Sequence, residues 1–176
     1  AQVVELARDA RGAQLVHAKD SPQIGEAALA ADRAARDVRI ALGMATGRFA
    51  AAQLDANAAL GTALDALDER LDALAKLLAS QAERAEELRN AQARTAQLRE
   101  AFSAWRAVKE EGAVRWVEAY AQSAVLNRTP LDVGPVFAQQ LAAGKRAWIF
   151  TSATLSVGGD FRHYQSELGL AEAATR

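Results

Sequence analysis

The sequence predicts a mainly α protein: a helical part with a long helical hairpin, then a small α/β piece of an incomplete parallel-sheet domain. Two observations carry this. Leu60, Leu64, Leu67, Leu71, Leu74 and Leu78 recur in alternating steps of four and three, the spacing of one face of a long helix. After Glu110-Glu111-Gly112 the residues turn β-branched and aromatic. The expected division is therefore residues 1–111, all helical, and 112–176, α/β.

In chain order, Val3, Leu6, Ala10, Ala13 and Val16 stand at helical spacing, which predicts an amphipathic helix over Gln2–Lys19. Ser21-Pro22 reads as a helix start, with serine as N-cap and proline in the first turn. That second helix should run to about Leu42 and stop near Gly43 and Gly47. The leucine-rich helix follows. Ser80-Gln81-Ala82-Glu83 fits a capping box and predicts a break at Ala79–Ser80. The next helix carries Leu88, Ala91, Leu98, Phe102 and Trp105 on one stripe, with a gap at Thr95. The short connection favours an antiparallel hairpin; one continuous kinked helix is the alternative.

Val114–Tyr120 and Ser123–Leu126 read as strands joined by a tight turn, and Arg128-Thr129-Pro130-Leu131 as a break in regular structure. Val133–Ala143 predicts a short helix closing at Gly144, and Ala147–Phe150 a buried parallel strand. Gly158-Gly159 predicts a turn before a last helix, Phe161–Leu168, ended by Gly169. Trp105 and Phe102 read as core, as do Trp116 and Trp148 on their strands.

Composition narrows the function. Alanine supplies about a quarter of the residues, so the helical core relies on leucine. The net charge of −1 provides no bulk attraction for nucleic acid or an acidic membrane. The absence of cysteine excludes disulfides, a cysteine nucleophile and thiolate-held zinc or iron–sulfur within these residues, and is compatible with a reducing cytosol. His17 and His163 are too few for a histidine-rich metal site, and His163 reads as helix surface. No apolar run approaches the roughly 20 residues a membrane helix needs. There is no nucleophile–base–acid set for a standalone hydrolase. The chain starts without Met, and both ends look cut from something longer.

The strip Thr151-Ser152-Ala153-Thr154-Leu155 carries the sharpest functional signal. Small hydroxyl residues at the carboxyl end of a parallel strand can bond loop backbones and neighbouring carboxylates, and so report a change at a nucleotide site to a second domain. Its surroundings fall in one order: Arg115-Trp116-Val117-Glu118, Leu126-Asn127-Arg128-Thr129-Pro130-Leu131-Asp132-Val133, Ala147-Trp148-Ile149-Phe150 running into the strip, Gly158-Gly159-Asp160-Phe161, and Leu168-Gly169-Leu170. That order resembles the DinG/YoaA-like, XPD-related DNA helicases, most strongly over residues 112–170; the helical part is similar in type and position.

The resemblance implies that residues 1–111 are the Arch, the helical insert of these helicases, and that 112–176 belong to the first motor domain. It implies that Thr151, Ser152, Ala153, Thr154 and Leu155 are motif III, which couples ATP hydrolysis to movement on single-stranded DNA. The family is ATP-dependent, works 5′ to 3′ in DNA repair and replication stress, and usually holds a four-iron–four-sulfur (4Fe–4S) cluster. The implied partners are single-stranded DNA and the rest of the motor, with ATP and Mg²⁺ as cofactors of the longer protein, and the expected location is the bacterial cytoplasm. The phosphate loop GxxxxGK followed by Ser or Thr, the DEAH box and the cluster cysteines do not occur in these 176 residues. The piece alone is therefore expected to hydrolyse no ATP.

Among basic residues, Arg128 is the arginine placed most readily near DNA or a domain interface. Arg84, Arg89, Arg94, Arg99 and Arg106 are candidates to guide single-stranded DNA, set against ordinary salt-bridged surface, because steps of five wind round a helix. The stretch Leu54–Ala79 carries two basic and five acidic residues, whereas Ser80–Lys109 carries six and four. The acidic stripe Asp65, Asp68, Glu69 and Asp72 reads as a solvated helix face. A non-enzymatic alternative is a coiled-coil module whose leucine seam pairs with another chain, with the α/β tail as a docking piece. Exposed strand edges and apolar faces in the carboxyl-terminal part predict self-association.

Overall fold

Burial of the leucine and alanine stripes organises the structure, a computed structural model that describes residues 2–107, 112–143, 148–151, 156 and 158–170. Helices α1 (Gln2–His17) and α2 (Gln23–Ala41) pack through small residues, with Ala10, Ala28 and Ala31 fully buried beside Leu6 and Ile24. Gly25 leaves room for the side chain of Gln14, since a Cβ there would lie 3.0 Å from Gln14 Oε1. The Gln14 amide in turn donates to the Ala18 carbonyl at 3.1 Å, which satisfies it in the core.

A short strand β1 (Gly47–Ala50) and one turn of helix, α3 (Ala51–Leu54), lead into α4 (Ala58–Ala79). Asn57 caps α4: its Oδ1 accepts from Leu60 N, and its Nδ2 donates to the Ala41 carbonyl at the end of α2. All six seam leucines of α4 are buried within this chain. The seam is thus spent intramolecularly, which corrects the alternative of a coiled coil with another chain.

The break at Ala79 is present, but its chemistry is not a capping box. Ser80 ends α4, its hydroxyl donating back to the Leu77 carbonyl at 2.8 Å. A 3-10 turn, Ala82–Arg84, intervenes, and α5 (Glu86–Arg106) starts without a side-chain cap. Asp72 meets Arg99 and Asp65 meets Arg106, so the two helices run antiparallel. The predicted gap at Thr95 is filled by Thr95 itself, fully buried with its hydroxyl donating to the Ala91 carbonyl at 2.7 Å. Similarly, α2 begins at Gln23 without a side-chain cap from Ser21.

Strands β2 (Ala113–Ala119) and β3 (Ala124–Pro130) join β1 in a three-stranded sheet of order β1-β2-β3. The β1–β2 pair is antiparallel, with Phe49 opposite Val117. Residues Arg128–Pro130, expected to break the chain, complete β3; at an edge strand proline costs no ladder bond. Helices α6 (Gly134–Ala142) and α7 (Arg162–Glu167) follow. The chain forms two compact units, Ala1–Lys109 with Arg115–Arg128, and Glu110–Val114 with Thr129–Arg176. The predicted strand Ala147–Phe150 is not seen at 148–150, which lack regular structure, with Ile149 87% exposed. A parallel strand takes its bonds from strands on either side, and among the described residues none lies beside it. Trp148, expected in the core, is half exposed for the same reason.

Candidate functional site

Of the predicted coupling strip, Thr151 is exposed, and Ser152–Leu155 lie outside the described residues. What positions the chain ahead of Thr151 is an aromatic cluster. Trp148 and Phe150 sit two residues apart on one side, stacked at 6.4 Å with ring planes 4° apart, while Ile149 faces away. Phe137 of α6 packs against both, at 6.3 and 5.6 Å, and Tyr164 of α7 meets Phe150 edge-on at 6.4 Å. Such edge and offset geometries are the favoured ones for aromatic rings.

The flanking signature residues hold one another. Asp132 Oδ1 accepts from Gly134 N at 2.8 Å at the start of α6. Gly169, at φ +64°, ends α7 against Gly134: a Cβ on it would lie 3.0 Å from the Gly134 carbonyl oxygen. Gly169 is required by its positive φ and this contact, whereas a Cβ on Gly134 would press at 3.1 Å on Asp132 Oδ1. Gly158 and Gly159, at φ +62° and +84°, form the expected turn. Next to it, Asp160 accepts from the backbone N–H and guanidinium of Arg162, which hold its carboxyl at about 2.

In the helical unit the candidate arginines are ion-paired. Arg84 forks onto both carboxylate oxygens of Asp20, the second at 2.8 Å. Arg94 meets Asp9 at 2.6 Å and Arg99 meets Asp72 at 2.6 Å. Arg106 pairs with Asp65, and Arg89 lies 3.8 Å from Glu83. Hydrogen bonds from Arg94, Arg84 and Lys76 hold Asp9, Asp20 and Asp72, respectively, below the usual carboxylate range, with Arg99 adding to the last. The acidic stripe of α4 is thus half consumed by pairing, with Glu69 exposed and Asp68 partly so. Arg128 is exposed on β3.

Arg115 is a site residue that sequence reasoning passed over. Its guanidinium donates to the Trp105 carbonyl at 3.0 Å and stacks 5.3 Å from that indole, with Asp55 at 3.9 Å. Trp105 Nε1 in turn donates to the Asn127 carbonyl at 3.0 Å. The carboxyl end of α5 is thereby tied to β2 and β3. The signal was available: period-two alternation puts Arg115 on the same side as the buried Val117 and Ala119. A cavity of about 570 Å³ opens beside this knot, lined by Val3, Val38, Leu67, Leu98, Phe102 and Leu126 among others. It is apolar and brings no acid–base pair together. Among the described residues no group of His, Asp or Glu could hold a metal ion, and no helix is long and apolar enough to cross a membrane.

Two curated relatives match nearly the whole chain. It is 31% identical over 172 residues to an ATP-dependent DNA helicase YoaA of Escherichia coli, covering 98% of this chain and 27% of that protein. It is 29% identical over 176 residues to the YoaA helicase of Haemophilus influenzae, covering 99% of this chain and 28% of that one. The chain therefore spans about a quarter of the length of the curated relatives it matches. No family model matches, and no solved structure does. By sequence the chain is related, end to end, to a segment of the DinG/YoaA-like helicases.

Proposed function

We propose that this chain is a segment of an ATP-dependent DNA helicase of the DinG/YoaA type, in which residues 1–111 form the Arch and Thr151–Leu155 form motif III. The observation that carries the reading is similarity to two YoaA helicases across 98% and 99% of the chain, helical part included. The contacts of Asp132 and Gly169 with Gly134 support it, because two signature residues separated in sequence meet at one point of the backbone.

In this reading the segment frames the passage of single-stranded DNA and relays ATP hydrolysis to translocation in a bacterial cytoplasmic repair enzyme. Thr151 follows directly on the aromatic cluster, which ties the chain at Phe150 to α6 and α7. In this reading the hydroxyl-rich composition of Thr151, Ser152 and Thr154 suits hydrogen bonding to loops that respond to nucleotide hydrolysis. With no cysteine and no phosphate-loop motif, this chain's residues do not fit a 4Fe–4S cluster or ATP with Mg²⁺. Those groups belong to other parts of the longer protein.

The test is the full-length protein. It should hydrolyse ATP with stimulation by single-stranded DNA and unwind 5′-tailed duplexes. Thr154→Ala should leave ATP binding intact and lower unwinding at least about 10-fold, the scale of one misplaced coupling contact. Lack of DNA-stimulated ATPase would sink the helicase reading. Unwinding unchanged in Thr154→Ala would sink the motif III assignment alone.

A further inference from the structure

Strand β2 lies between β1 and β3, so its alternate residues face in two directions. Val117 and Ala119 go inward and are buried. Trp116, Glu118 and Tyr120 stand on the other face, away from the helices. Cross-strand register puts Arg48 opposite Glu118 and Ala50 opposite Trp116. The Arg48 guanidinium lies 5.0 Å over the Trp116 indole and donates to Glu118 Oε1 at 3.1 Å, yet its side chain is 73% exposed. Tyr120 is exposed, and its hydroxyl shares a hydrogen bond with Glu118; that bond and the Arg48 one hold Glu118 low, while Tyr120 is pushed up. At the end of the strand Arg39 donates to the Tyr120 and Gly43 carbonyls at 2.5 and 2.6 Å. Those partners are neutral carbonyls, and they place this guanidinium at the same end of the strand as Tyr120.

This face therefore offers planar surfaces, a guanidinium on an indole with a phenol beyond it, and two cations against one carboxylate. Flat stacking surfaces with a positive excess suit unpaired bases, each of which has a π-face, and the adjoining phosphates. In a duplex those faces are already stacked. We propose that Arg48, Trp116 and Tyr120, with Arg39 at the phosphates, form a stacking platform for an unpaired DNA strand. The proposal rests on the helicase reading and adds a location to it.

The test uses the whole chain, with ¹⁵N label on its tryptophans, titrated with an oligothymidylate of about 12 nucleotides, a site size such surfaces accept. The Trp116 indole signal should move, and that of Trp105, bonded to Asn127, should stay. By fluorescence anisotropy, Trp116→Ala and Arg48→Glu should each weaken binding about 10-fold or more, and Trp116→Phe by less than about threefold. Circular dichroism confirms that each variant is folded, and the wild-type titration stands whether or not Trp116→Ala folds. Binding that leaves the Trp116 signal unmoved overturns this platform while keeping the helicase reading. So does equal affinity for a blunt duplex, or tighter binding of oligouridylate. Absence of any binding by the chain overturns it too, and the ATPase of the full-length protein then decides the helicase reading separately.

Discussion

The two units handle apolar residues in opposite ways. In the helical unit, six leucines of α4 are buried as it packs against α2 and α5, and ion pairs such as Asp9–Arg94 and Asp72–Arg99 join helices along the rim. In the α/β unit, Leu131, Val136 and Ile149 stand in solvent, Leu170 is buried, and the four aromatic residues that pack together are only partly covered. The lesson is that amphipathic helices close a core among themselves, whereas a parallel-sheet strand needs strands on either side, and among the described residues none lies beside 148–150.

The largest effect expected on this contrast is in the leucine seam. Leu74→Ala, at a fully buried position, should cost about 2–5 kcal/mol in urea unfolding. A loss below about 1 kcal/mol would mean that the helical core is loose, and the contrast would fail. Next comes Gly169→Ala, which strains a positive φ and presses on Gly134. It should cost about 1–3 kcal/mol, with hydrogen-exchange protection lost in α6 and α7 and kept in α4. Loss in α4 as well would show that the units unfold together.

Smaller still, Ile149→Ser should shift stability by less than about 0.5 kcal/mol, because the side chain buries nothing in this chain. In sedimentation it should reduce self-association of the wild-type chain; a wild type that stays monomeric at all concentrations would contradict the open-face account. The smallest effect concerns acid. Asp160, at about 2, and the lowered Asp9, Asp20 and Asp72 favour the folded state fully above their ordinary pKa of 3.8. That contribution fades as pH falls from there through about 2. All four are solvated, so the midpoint of thermal unfolding should fall only slightly over this window, and less in high salt. An unchanged midpoint would show that the pairs contribute nothing measurable.

The helical hairpin was legible because its signal is periodic and local: the leucine spacing marks α4, and Ser80 sits at the break. What Ser80 does there was not, since a serine ending one helix and one starting the next look alike in sequence. Strand β1 left no local mark; Gly47–Ala50 is a strand because β2, some 70 residues on, supplies its partners. Distance of the same order hid the pairings of Arg84 with Asp20 and Arg94 with Asp9, which lie 64 and 85 residues away. Thr95 looked like a gap because its hydroxyl finds a partner in its own helix. At the candidate site, the order of Asp132, Gly158 and Gly169 was readable as a resemblance, while the contact between Gly134 and Gly169 appears only in three dimensions.

That contact makes a closed ring of the chain. Position 169 minus position 134 is 35, so a stretch of chain 35 residues long returns to its own start, with residues 151–155 inside it. Closure entropy grows only logarithmically, about 0.6 kcal/mol per doubling of length. The ring can thus accept a few added residues at little cost, yet a single methyl at its clasp can open it. Tolerance to insertion and intolerance to bulk are therefore set at different places along one short stretch of chain.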